Sequence, residues 1–144
     1  MSNGGGMREI LLHGGLDEAF DRSVLFARRM AESFGARLHV LYTVEDPQSA
    51  GWTAEVSAER LPEVHDAIAT EAQERLARLI PVEDQERLGV EFVLRTGPAT
   101  EELVRYTTER NIDLAIVQVR AGSDDTTHAH ALLDRGRCAV LVLR

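Results

Sequence analysis

The chain has 144 residues, the usual size of one domain, and carries 16 basic against 24 acidic side chains for a net charge of −8. Nucleic acids and anionic membranes are bound largely through clustered cations, so an acidic chain with no basic cluster is a poor ligand for either. All 16 cations are arginine, which excludes Schiff-base chemistry and the lysine of a Walker-type phosphate loop.

A hydrophobic fraction of 44% against 28% charged residues is enough to fill a core. No apolar run approaches the roughly 20 residues of a membrane span. The start, Met1 to Met7, has no apolar signal region, so a cytoplasmic location is expected. Cys138 is the sole cysteine, which rules out an internal disulfide and a cysteine-based zinc cluster.

Residues 1–6 are glycine-rich and read as a flexible leader; the folded domain is expected over 7–144. Arg8–His13 (REILLH) is a short apolar run that ends at Gly14-Gly15, a buried strand followed by a turn. Phe20, Val24, Ala27, Ala31 and Phe34 then make one helical stripe, with Asp17 placed to cap its start and Gly35 to close its end in the left-handed conformation. Arg37–Val44 is a second strand, rich in β-branched and aromatic residues. Glu45–Val56, with Pro47, Gly51 and the only tryptophan, Trp52, has no period and reads as a surface loop. From Leu61 a long amphipathic helix runs through Val64, Ile68, Ala72, Leu76 and Leu79 and stops before Pro81. Val90–Leu94 is a third strand, Gly97-Pro98 opens a third helix that Asn111 stops, and Ile112–Val119 is a fourth strand whose nearly unbroken apolar run suits burial on both faces. A polar loop, Gly122–Thr127, leads to a short helix over Ala129–Arg135 and a fifth strand over Cys138–Leu143.

Five strands alternating with four helices predict an α/β domain: one doubly wound, five-stranded parallel sheet, Rossmann-like, with helices on both faces. Ligands of such sheets bind beyond the carboxyl ends of the strands where the winding reverses, which directs attention to the segments after strands one, two and four. Gly14-Gly15 falls there and fits a tight strand-to-helix turn or the approach of a phosphate. His13, His128 and His130 also fall near these ends, yet positions two apart point to different sides of a helix, so no metal site is expected. Ser23, Ser33, Ser49, Ser57 and Ser123 lie in no nucleophile elbow, Asp124-Asp125 reads as a solvated pair, and Cys138 reads as core. Val140, Leu141, Val142 and Leu143 would form a sheet edge whose open amides and carbonyls invite a second copy.

Ile10-Leu-Leu, the helix over 22–34, the strand over 38–45, Gly97 to Tyr106, Ile112 to Val117 and the terminal 138–144 resemble the universal stress protein family in order and spacing. The resemblance covers residues 7–144 and implies that family's five-stranded α/β fold, with a homodimer joined along the last strand. Some members of that family bind ATP or related adenine nucleotides and others do not. Where nucleotide-binding members carry an aspartate at the end of the first strand, this chain has Gly15, with Asp17 where a capping serine is usual. Losing a charged hydrogen bond of about 1.5–3 kcal/mol weakens a nucleotide roughly tenfold to a hundredfold. The family's glycine loop for phosphates is altered too: Val119 replaces its first glycine, Gly122 keeps the second, and Thr126-Thr127 stand at its final Gly-Ser pair after a shortened loop. A β-branched residue tolerates neither the positive φ nor the close oxygen approach of a phosphate nest. Val44 matches a position lining the adenine pocket and is equally expected as core.

The resemblance therefore implies a non-enzymatic, cytoplasmic homodimer of the stress response that needs no cofactor and acts through an unknown protein partner or a modified cleft. The alternative is an adenine-nucleotide binder, taking ATP or AMP with magnesium through Gly14, Gly15, Val44, Gly122, Ser123, Thr126 and Thr127.

Overall fold

The computed structural model describes residues 6–14, 18–44, 61–119 and 126–144. The leader up to residue 5, Gly15, the Asp17 cap, the Trp52 loop, Gly122, Ser123 and the Asp124-Asp125 pair lie outside the described residues. In chain order the elements are β1 (Glu9–His13), α1 (Glu18–Phe34), β2 (Arg37–Val44), α2 (Leu61–Leu79), α3 (Val82–Leu88), β3 (Glu91–Thr96), α4 (Ala99–Glu109), β4 (Leu114–Gln118), α5 (Thr127–Arg135) and β5 (Ala139–Leu143). The five strands form one parallel sheet in the order β3-β2-β1-β4-β5. The chain winds outward from β1 to β3 and then crosses back to β4, so the winding reverses between β1 and β4, and the expected doubly wound α/β fold is present.

Alternation along the central strands builds a core on each face of this sheet. Ile10 and Leu12 of β1 join Phe20, Val24, Ala27 and Ala31 of α1 and Leu76 of α2 on one side. Leu11 packs with Leu41, Leu103, Tyr106 and Leu132 on the other, beneath α4 and α5. Successive strand residues point to opposite faces, so a strand covered by helices on both sides must be apolar throughout, as Ile10, Leu11 and Leu12 are.

Helix ends are set by local chemistry. After α1 the Ala36 amide bonds the Ala31 carbonyl and the Gly35 amide the Glu32 carbonyl, a Schellman closure with Gly35 at φ 62°. Asn111, at φ 51°, ends α4 in the same way through Ile112 to Thr107 and Asn111 to Thr108.

Several stretches differ from the sequence reading. A fifth helix, α3, follows Pro81 over only seven residues, too short for a periodic stripe to announce it. It is anchored by Arg28 of α1, whose guanidinium reaches Asp84 at 2.9 Å and the Leu79 carbonyl at 3.3 Å. β3 runs on through Arg95 and Thr96, because pairing with β2 continues to Val44 opposite Thr96. Ile112 and Asp113 precede β4 rather than belonging to it, and the Asp113 carboxylate instead accepts the Arg8 and Glu9 amides, both at 2.9 Å.

Candidate functional site at the carboxyl ends of β1 and β4

The reversal between β1 and β4 places His13 and Gly14 beside Gln118 and Val119, with the starts of α4 and α5 above them. His13 is 6% exposed. Its Nε2 lies 3.0 Å from Thr43 Oγ1 of β2, and its ring meets that of His128 with centroids 5.2 Å apart and planes at 83°. Burial, and then the nearby His128, bring the His13 pKa down to about 3, so its imidazole is neutral across the physiological range. His128 Nδ1 in turn lies 2.8 Å from Thr100 Oγ1 of α4. Four elements thus meet in a cluster of two imidazoles and two hydroxyls.

Of the three histidines, the structure brings together two. α5 begins at Thr127, earlier than the sequence pattern marks, so His128 and His130 are both helical and diverge. His130 folds back on its own helix, its Nδ1 2.9 Å from Thr126 Oγ1. No group of three or more histidine, cysteine or acidic residues fit to hold a metal occurs among the described residues.

The remaining sequence candidates fall as follows. Thr126 occupies the N-cap position of α5, but its side chain makes no capping hydrogen bond. Its hydroxyl pairs with His130 instead. Thr126 and Thr127 line an open groove of about 540 Å³ between α4 and α5, together with Thr100, His130 and Arg135. Gly14 has no positive φ, and a Cβ there would meet Gln118 and Phe20 only at an ordinary 3.9 Å, so neither backbone conformation nor crowding demands glycine. Val44 ends β2 half-buried, opposite Thr96 of β3. Val119 is 3% exposed, and its amide donates to the Leu143 carbonyl at 2.8 Å. Ser23 is fully buried, with its hydroxyl on the Ala19 carbonyl at 2.7 Å and against Gln118 Oε1. Cys138 is half-buried, and burial pushes its thiol pKa up. β5 pairs with β4 alone among the described strands, leaving Val140, Leu141, Val142 and Leu143 along a sheet edge, with Val142 43% exposed.

Thr43, Thr100 and Gln118 were not singled out from sequence, because nothing in a lone polar residue at an element's end marks the neighbour it will meet. A second polar cluster under α4 was also missed. His39 of β2 is fully buried, with Nε2 2.8 Å from Glu9 Oε1, Nδ1 2.7 Å from the Tyr106 hydroxyl and Glu91 Oε2 at 3.5 Å. A histidine between the inward Leu41 and the strand start was its only trace. Burial pushes the Tyr106 hydroxyl up to about 12, whereas Arg110, bonded to Glu91, holds that carboxyl below the usual range.

The sequence profile described as Universal stress protein family matches residues 8–144. The chain belongs to the universal stress protein family. No curated protein matches it in sequence. Among solved structures, the universal stress protein UspA from Lactobacillus plantarum shares 19% identity over 96% of this chain and 99% of its own, with a TM-score of 0.73. A universal stress protein in complex with cAMP is 17% identical, covering 95% of this chain and 96% of that one, with a TM-score of 0.62. The Archaeoglobus fulgidus universal stress protein in complex with dAMP is 14% identical over 96% and 98%, with a TM-score of 0.57. At these identities the likeness establishes the shared fold, including the parallel five-stranded sheet. No helix among the described residues is long and apolar enough to cross a membrane.

Proposed function

We propose that this universal stress protein is a non-enzymatic, cytoplasmic homodimer of the stress response that works through contacts with a protein partner and does not hold ATP tightly. The observation that carries the reading is Val119: its side chain is buried and its amide is committed to the Leu143 carbonyl. That amide is spent inside the sheet and offers nothing to a phosphate, whose nest needs free N–H groups on open backbone. Support for the dimer comes from β5, which among the described residues has a neighbouring strand on one side only and exposes Val142. Edge strands of this kind are stabilised by pairing with an identical edge across a two-fold axis.

A second reading is adenine-nucleotide binding, favoured by the two fold relatives solved with cAMP and dAMP. Its phosphates would sit near Thr126 and Thr127 at the start of α5, whose groove is open. Thermal denaturation with and without millimolar ATP, AMP and magnesium separates the two, since a ligand at a hundredfold excess over its Kd stabilises the native state by about 2.7 kcal/mol. The expected result is no shift, with light scattering reporting a dimer. A saturable rise in midpoint overturns the first reading in favour of the second.

A further inference from the structure

We propose that His13 and His128 form a two-imidazole site for a divalent transition-metal ion of the zinc or copper class, open to water or a small anion on its remaining coordination positions. The proposal goes beyond the functional reading above and does not rest on it.

The spacing of the rings is the first support. Two imidazoles on one tetrahedral metal, each bound through a nitrogen at about 2.1 Å, hold their ring centroids about 5 Å apart; those of His13 and His128 are 5.2 Å apart. The outer hydrogen bonds are the second. A metal-bound histidine typically donates its other N–H to an oxygen, which fixes its tautomer and aims its lone pair. In the tautomers in which Nε2–H of His13 donates to Thr43 Oγ1 and Nδ1–H of His128 donates to Thr100 Oγ1, each ring keeps a lone pair on its other nitrogen, Nδ1 of His13 and Nε2 of His128, neither of which has a hydrogen bond among the described residues. Location is the third support: the pair sits where the winding reverses, the place at which doubly wound sheets take ligands.

The donor set fixes the class of ion. Calcium and magnesium select oxygen ligands, whereas imidazole suits zinc, copper and nickel. No third histidine, cysteine or carboxylate joins the pair among the described residues, so coordination is completed from solution, as at metal sites that keep exchangeable positions.

The test is calorimetric titration of the metal-free full chain with zinc chloride, run on the wild type and on His13→Gln, His128→Gln, His130→Gln and Thr100→Val. One saturable site per chain is expected, weakened at least tenfold in His13→Gln and His128→Gln, about tenfold in Thr100→Val, and unchanged in His130→Gln. Because His13 is buried, His13→Gln is read only if its melt in chelator shows a folded protein. Otherwise the half-buried His128, compared with His130, decides alone. An absence of zinc binding by the wild type, retention of full affinity in His128→Gln, or an equal loss in His130→Gln overturns the proposal and leaves His13 and His128 as a packed ring pair only.

Discussion

Two buried histidines stand on neighbouring strands, on the same face of one sheet, and they are solvated by the protein in opposite ways. His39 is ringed by Glu9, Glu91 and the Tyr106 hydroxyl, so each ring nitrogen has a partner and a carboxylate lies within 3.5 Å of each side. His13, with its ring on His128 and its Nε2 on a threonine hydroxyl, faces no carboxylate among the described residues, and its pKa falls to about 3. Both rings are buried, at 0% and 6% exposed, and they differ in their partners: carboxylates stand against His39, whereas a threonine hydroxyl and a second imidazole stand against His13. The first belongs to a structural hub joining β1, β2, β3 and α4; the second lies at the mouth where the winding reverses and stays available as a neutral ligand.

The largest effect expected from this contrast is at the hub. Tyr106 of α4 is fully buried, with its hydroxyl on His39 and the Arg95 and Arg110 guanidinium carbons 4.9 and 5.7 Å from its ring centroid. Tyr106→Ala should cost about 3–5 kcal/mol in urea unfolding, through the cavity it leaves. Tyr106→Phe keeps the ring and removes only the hydroxyl, leaving His39 Nδ1 with Glu91 Oε2 at 3.5 Å in place of a hydrogen bond, at a cost of about 1–3 kcal/mol. A Tyr106→Phe variant as stable as the wild type would show that the hydrogen bond to His39 contributes nothing.

The next effect tests the mouth through its pH dependence. His13 in the unfolded chain titrates at its ordinary value of 6.5 and in the folded chain at about 3. Between those values the unfolded state binds more protons, so stability is complete above pH 6.5 and declines as pH falls toward 3, by about 1.4 kcal/mol per pH unit. His13→Gln should flatten that part of the profile, and His128→Gln should relieve the smaller share that comes from the neighbouring imidazole. Urea unfolding from pH 7 down to pH 5 in chelator-containing buffer measures the slope. Parallel profiles for wild type and His13→Gln would mean that His13 is hydrated in the native state.

The fold was legible because the apolar alternation of Ile10, Leu11 and Leu12 and the stripe from Phe20 to Ala31 are local signals that burial on two faces imposes on the chain. Gly35 and Asn111 were likewise readable as stops, since few residues accept a positive φ. Helix α3 escaped because seven residues carry no period. The site was legible only in part. Strand order and helix starts bring His13 and His128 together across 114 intervening positions in the chain, while Thr43 and Thr100 become partners solely through that tertiary placement. Val119 was marked by the type of residue it is, but the bond from its amide to Leu143 depends on the β4–β5 pairing, which no local pattern encodes.

The smallest effect sharpens the contrast at Gly14, next to His13. A glycine directly after a first strand invites explanation as a turn requirement or as room for a ligand, and the two have different consequences for an added methyl. Gly14 has no positive φ, and a Cβ would touch the Gln118 and Phe20 side chains at 3.9 Å, an ordinary contact. Gly14→Ala should therefore stabilise the protein by about 0.4–1 kcal/mol, by restricting the unfolded chain at no cost to the native one. Gly89→Ala makes the control, because its φ of 61° in the closure after α3 should make the same change destabilising, by about 1 kcal/mol. Thermal melts of both variants give the comparison. If Gly14→Ala instead destabilises as much as Gly89→Ala, the strand-to-helix turn itself requires glycine. If it stabilises as expected, the turn sets no such requirement, and adding AMP to the same melts then asks whether the bare backbone serves a ligand instead.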